Sequence, residues 1–182
     1  AKASEAFDEL LKGKNKKNAF LLVEIGRAYL DQGKTAEAAE YAQRAKDINS
    51  KCAVAYLLSG DIALNLNDVN KASSDYNQAI YLDEDCSEAY FKYAQVYKGV
   101  DPQLSLDMLM RLQSKTPEDN RISKELADVY YTMGQYGKAK EAYENYLKVG
   151  TPTEQDYTRY AMLLYLNKDY AQSLDMVKKG LD

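Results

Sequence analysis

This 182-residue sequence predicts an all-α fold, a right-handed superhelical solenoid of stacked helix-turn-helix units, and three observations predict it. The first is an internal period of about 34 residues, the length of one helix pair with its turns. The second is the scarcity of helix breakers, with 3 Pro and 9 Gly in the whole chain. The third is an apolar stripe at helical spacing in every period, such as Leu22, Ile25, Gly26 and Tyr29.

The period is carried by two series of small residues. Gly26, Gly60, Ala94, Ala127 and Ala161 follow one another by 34, 34, 33 and 34 residues. Ala38, Ala72, Ser105, Ala139 and Ser173 keep steps of 34, 33, 34 and 34, and both short steps fall in the same unit. Small residues facing one another let two helix axes approach to the lower end of the usual range, roughly 8 to 10 Å. Tyr and Leu fill the space beside them, in keeping with 17 Tyr against 3 Phe and no Trp.

Helices are expected near 2–12, 18–31, 35–48, 53–66, 69–82, 87–99, 102–114, 120–133, 136–149, 154–167 and 170–180. Asp101 before Pro102 suits a capped first turn, and Pro117 and Pro152 fall between units, where helices stop. The expected organisation is one domain: a partial unit with its linker over 1–17, then repeats over 18–52, 53–86, 87–119, 120–153 and 154–182. Ser4, Phe7 and Leu11 have the phase of a second helix, so the chain is expected to start mid-unit, as a processed or cut piece of a longer one.

These residues resemble the tetratricopeptide repeat, in which a W-x2-L-G-x2-Y stretch is followed by A-x3-F and a closing Pro. Leu22, Gly26, Tyr29 and Ala38 open the match; Tyr56, Gly60, Ala72 and Tyr76 repeat it; Leu126, Ala127, Tyr130, Ala139 and Tyr143 give it again. Trp is replaced throughout, and only Pro117 keeps the closing position among the units compared with Ser50, Glu84 and Thr151. The resemblance implies a non-catalytic scaffold for a protein or peptide. Family members that clamp acidic C-termini use Lys, Asn and Arg at inner positions; here those positions hold Val23, Arg27, Leu58, Glu88 and Lys92, which does not fit a two-carboxylate clamp.

The surface expected to do the work follows from 100° per residue around each first helix. One flank, including Leu21, Ala28, Ala55 and Ile62, is apolar and is expected to pack on the preceding repeat. The opposite flank is expected to line a concave groove: Phe20, Val23, Arg27 and Leu30; Val54, Leu57, Asp61 and Leu64; Phe91, Gln95 and Lys98; Lys124, Asp128 and Tyr131; then Met162 and Tyr165. It is apolar early and more polar late, which suits a peptide with hydrophobic anchors at Phe20, Leu57 and Phe91. The competing reading is that Val23, Leu57 and Leu64 only fill space between helices.

Composition narrows the rest. The absence of His excludes Ser-His-Asp and Cys-His catalysis and removes the commonest transition-metal ligand, and a net charge of −4 disfavours nucleic acid. No apolar run is long enough to insert in a membrane. Neither cofactor nor metal is expected: Asp83, Glu84 and Asp85 lack the calcium-loop spacing, and Gly134, Gly137 and Lys138 lack that of a phosphate loop. The basic run Lys12, Lys14, Lys16 and Lys17 fits a solvated helix end. Cys52 and Cys86, one repeat apart, are expected to be free thiols. The alternative role is structural: Leu174, Val177 and Leu181 form an apolar row on the last helix, open to self-association or docking within a longer chain.

Overall fold

The computed structural model describes Phe7 and residues 9–180. A 3₁₀ turn over Gly13–Lys17 leads into ten α-helices among the described residues, with no strand: α1 (Ala19–Asp31), α2 (Thr35–Ile48), α3 (Ala53–Asn65), α4 (Val69–Leu82), α5 (Ser87–Tyr97), α6 (Pro102–Lys115), α7 (Asn120–Thr132), α8 (Tyr136–Val149), α9 (Glu154–Leu166) and α10 (Tyr170–Lys179). Each expected helix from 18 onward is present, its ends within two residues of expectation. Most of the helix expected over 2–12 lies outside the described residues, as do Ser4 and Leu181.

Helices pair as hairpins, α1 with α2, α3 with α4, α7 with α8 and α9 with α10, and within each compact unit hairpins stack on sequence neighbours, α2 on α3 in the first and α6 on α7 and α8 on α9 in the second. The chain divides into two compact units, Ala1–Lys92 and Tyr93–Asp182, the boundary falling inside α5. A stack in which each repeat touches only its neighbours has no single centre, so its core is naturally subdivided. Unit 1 is built on Leu22, Tyr29, Ala38, Ala45, Leu58 and Ile62, and unit 2 includes a cluster of Ala127, Tyr143, Tyr146, Tyr160 and Leu164.

The two small-residue series meet face to face. A Cβ on Gly60 would collide with the ring of Tyr76, so that ring occupies the space a side chain would need. Where the second series has Ser, the hydroxyl is satisfied by the first: Ser105 Oγ donates to the Ala94 carbonyl and Ser173 Oγ to that of Ala161, both at 2.7 Å.

Four of the five turns inside a repeat end the first helix in the same way. Gly33, Asn67, Gly134 and Lys168 have φ between 60° and 72°, and the next N–H returns to a carbonyl five residues back, as Lys34 to Tyr29 (2.9 Å) and Asp169 to Leu164 (2.8 Å). This is the Schellman ending, in which glycine is the residue of least strain. In the third repeat the corresponding residue, Asp101, has φ −137° and instead caps α6 through Leu104 N–H.

The Tyr-rich composition has a purpose in the packing. Tyr76 donates its hydroxyl to Asp61 (2.7 Å), Tyr160 to Glu144 (2.8 Å) and Tyr143 to Asp156 (3.1 Å). Phe would fill the same core volumes but leave these carboxylates one donor short.

Candidate protein interface

The first helix of each repeat supplies the inner flank, and one rule joins successive repeats along it. The residue after the small anchor meets the residue two before the next anchor. Asp61 pairs with Lys92 at 3.3 Å, Gln95 Nε2 donates to Glu125 at 3.0 Å, and Asp128 faces Arg159 at 3.7 Å. In the first repeat the same two positions hold Arg27 and Leu58. Lys98 adds a cross-link, reaching Glu125 at 2.9 Å and Asp128 at 3.1 Å. Burial alone would depress the Lys98 ammonium, but Glu125 and then Asp128 outweigh it and hold its pKa above the ordinary lysine value.

In unit 1 the expected residues Arg27, Leu30, Val54, Leu57 and Asp61 line one cleft of about 640 Å³. Its remaining wall comes from Asp31 at the end of α1, from Asp83 and Cys86 in the loop after α4, and from Ser87, Glu88 and Lys92 on α5. Burial pushes the Cys86 thiol up, so it is a weak nucleophile at neutral pH. Both cysteines are free.

In unit 2 the expected residues Lys98, Asp128, Tyr131 and Met162 line a smaller pocket of about 310 Å³, together with Thr132, Tyr143, Arg159 and Leu163. Beside it Tyr165, exposed, packs edge-on against Tyr170 with ring centroids 5.3 Å apart. Tyr131 makes the equivalent contact with Tyr136 one repeat earlier, at 5.6 Å.

Other expected residues do different work. Val23, Leu57 and Phe91 hold equivalent positions and are only 0, 2 and 8% exposed, so they are committed to packing and offer little surface to a partner. Leu57 lines the unit 1 cleft with little of its surface open, and Phe91 is not among the residues lining either cavity, so the two offer a partner less than the anchor role expected of them requires. The reason is geometric: a residue three before the anchor turns toward the neighbouring repeat rather than outward. Lys124, at that position in the fourth repeat, accordingly ion-pairs with buried Asp156 of the fifth. Phe20 is 62% exposed at the start of α1, Leu64 is half-buried, and Gln95 lies along the repeat junction bonded to Glu125.

Reasoning from helix phase missed Asp31, Asp83 and Cys86 as cleft residues because two of them lie in a loop and one at a helix end, where phase no longer applies. Lys92 and Arg159 could have been found from the 34-residue period alone, since they stand at matching positions.

Among the described residues, no group of three or more His, Cys, Asp or Glu is arranged to hold a metal ion, and no helix is long and apolar enough to cross a membrane. Comparison with known families decides what the hairpins are. Two tetratricopeptide repeat models match, one over residues 1–51 and the other over 53–86 and 125–149, together more than half of the chain. The chain belongs to the tetratricopeptide repeat family. Solved structures carry the same fold. MamA from Desulfovibrio magneticus RS-1 superposes with a TM-score of 0.79 at 18% identity, covering 90% of this chain and 93% of that one. PilF of Pseudomonas aeruginosa gives 0.78 at 22% identity, covering 99% and 78%. YrrB, described as a TPR protein with an unusual peptide-binding site, gives 0.74 at 15% identity, covering 97% and 91%. No curated protein matches the sequence at a significant level. As a tetratricopeptide repeat protein, the chain is in general terms a protein interaction scaffold.

Proposed function

We propose that this scaffold is non-catalytic and receives a peptide or protein segment on the inner flank of its first helices, in the unit 1 cleft and the unit 2 pocket. Stacked hairpins hold the contacting side chains in place before a partner arrives, so less conformational entropy is lost on binding. The observation that carries the reading is the gathering of Arg27, Leu30, Val54, Leu57 and Asp61, grouped by repeat phase, around one cleft large enough for side chains of a ligand. YrrB, whose description includes a peptide-binding site, favours the same use of the fold. Apolar contact in unit 1 comes from half-buried Leu30 and Val54, and in unit 2 from Tyr131 and Met162 with Tyr165 alongside. Exposed Phe20 extends the apolar surface of α1.

The test is site-specific photo-crosslinking in native cell extract, with the probe at Leu30, at Met162 or at exposed Gln43 on α2. A defined adduct from Leu30 or Met162, absent from Gln43 and lost when Val54→Arg fills the cleft, supports the reading. Equal adducts from Gln43 overturn it.

A second reading, self-association, is favoured by α10, which has no buried residue and exposes Leu174 and Val177. Light scattering would show a concentration-dependent dimer that Leu174→Glu with Val177→Glu abolishes; a monomer at every concentration rejects it.

A further inference from the structure

We infer that the unit 1 cleft selects a basic segment, one that sets an apolar side chain on Leu30 and Val54 and brings Lys or Arg side chains to the acidic rim. The inference rests on the cleft being a binding site, as proposed above, and adds the chemistry of what enters it.

Charge in the cleft is unbalanced. Arg27 and Lys92 stand against Asp31, Asp61, Asp83 and Glu88. Both cations already have carboxylate partners: Lys92 pairs with Asp61 at 3.3 Å, and Arg27 reaches Glu24 at 3.4 Å on its own helix. Among the described residues, Asp31 and Asp83 belong to no ion pair. Asp83 accepts the Asp85 N–H at 3.0 Å but no cation reaches it, and the excess of carboxylates over cations gives the rim a negative field that attracts cations and repels acidic segments.

The positions of those two carboxylates strengthen the case. Asp31 is the last residue of α1 and Asp83 the C-cap of α4, and neither helix has a basic residue in its last turn. The C-terminal end of a helix carries partial negative charge, so an Asp there is unfavourable, while a Lys or Arg would be favourable. Two helices therefore present both a carboxylate and a negative dipole end to the same cleft, with no basic residue in either last turn to offset them. A cation supplied by a partner satisfies both at once. The floor is apolar, so the rim adds selectivity to a contact whose affinity comes from buried hydrocarbon.

The test uses three fluorescein-labelled peptides of one design, with Leu at every third position and the other positions all Lys, all Gln or all Glu. Anisotropy titrations against the full chain are run at low and at physiological ionic strength, in parallel with protection of Cys86 from iodoacetamide. The Lys peptide is expected to bind about tenfold tighter than the Gln peptide, with the Glu peptide weakest, and to protect Cys86. The preference should shrink to about threefold or less in Asp31→Asn with Asp83→Asn, two exposed positions whose change leaves helicity intact, while Leu contact and Cys86 protection persist. If all three peptides protect Cys86 equally, the cleft is a peptide site without this selectivity, and the inference falls while the proposed function stands. If the Lys peptide binds without protecting Cys86, or ignores the double variant, its attraction is to acidic surface elsewhere and the inference is overturned. If no peptide binds or protects, the cleft reading itself fails.

Discussion

The hydroxyl of Tyr143 on α8 donates to Oδ1 of Asp156 on α9 across 3.1 Å, joining the second helix of one repeat to the first helix of the next. Asp156 is 1% exposed and fully engaged: Tyr146 donates to it at 3.0 Å, Thr153 N–H at 2.9 Å, and Lys124 supplies the countercharge. Replacing Asp156 by Asn would strand that ammonium and reverse one hydrogen bond. The expected cost is about 3 kcal/mol, at the lower end for breaking a buried pair because Lys124 keeps partial access to water. Chemical denaturation of the two proteins measures it.

The same residue sets a pH dependence. Burial alone would raise the Asp156 carboxyl, but Lys124, then Thr153 and Tyr146, overcome it and hold its pKa well below the ordinary carboxylate range. A group that ionises more readily folded than unfolded contributes stability that is complete above the unfolded value, about 3.9, and fades as pH falls through the folded one. The native chain should therefore lose stability on acidification faster than Asp156→Asn. Parallel acid titrations followed by circular dichroism would show two limbs converging toward low pH; parallel limbs would contradict the assignment.

Glycine tolerance should differ sharply between two sites. At Gly60 a methyl would strike the fully buried Tyr76 ring, whose hydroxyl is tied to Asp61. Ala127 coexists with Tyr143 in the fourth repeat, so the hairpin can accept a methyl once the ring shifts, and Gly60→Ala should cost about 1–3 kcal/mol rather than prevent folding. Gly137, near the start of α8, has nothing within 4 Å of where a Cβ would stand, so Gly137→Ala should stabilise by about 0.5–1 kcal/mol. Thermal unfolding of both variants gives the two signs.

Lys168 occupies the left-handed turn position at φ 66° where Gly33 and Gly134 stand in other repeats. Its side chain is exposed, so Lys168→Gly removes backbone strain without removing packing. A gain of about 0.5–1 kcal/mol is expected, and Gly134→Ala should lose about 1 kcal/mol. No change in either melting temperature would count against strain at this turn.

Much of the fold could be read in advance because its determinants are periodic. Gly26 and Ala38 announce a close helix pair wherever their spacing recurs, and Pro102 or Pro117 marks where a helix begins or has ended. What the sequence could not reveal is how a position divides its surface between neighbours. Phe20 and Phe91 share a flank in projection, yet one is exposed and the other buried, because a residue near a helix start has no adjoining turn to cover it. Loop residues such as Asp83 and Cys86 carry no phase, so their arrival at the unit 1 cleft is a tertiary fact.

The repeat junctions also give the chain a reading order. Residue 27 is cationic, 61 anionic and 95 neutral, while their opposite numbers in the following repeat are Leu58, Lys92 and Glu125. Excising residues 53–86 would leave helix spacing intact but set Arg27 against Lys92; excising 87–119 would set Asp61 against Glu125. Either splice confronts like charges at a half-buried seam. Loss of 120–153 would bring Gln95 to Arg159 and so avoids a clash at that position, but it would set Lys98 against Arg159 and take Lys124, Tyr143 and Tyr146 away from buried Asp156, so gene-level shortening of this array should be resisted at each of these three repeats.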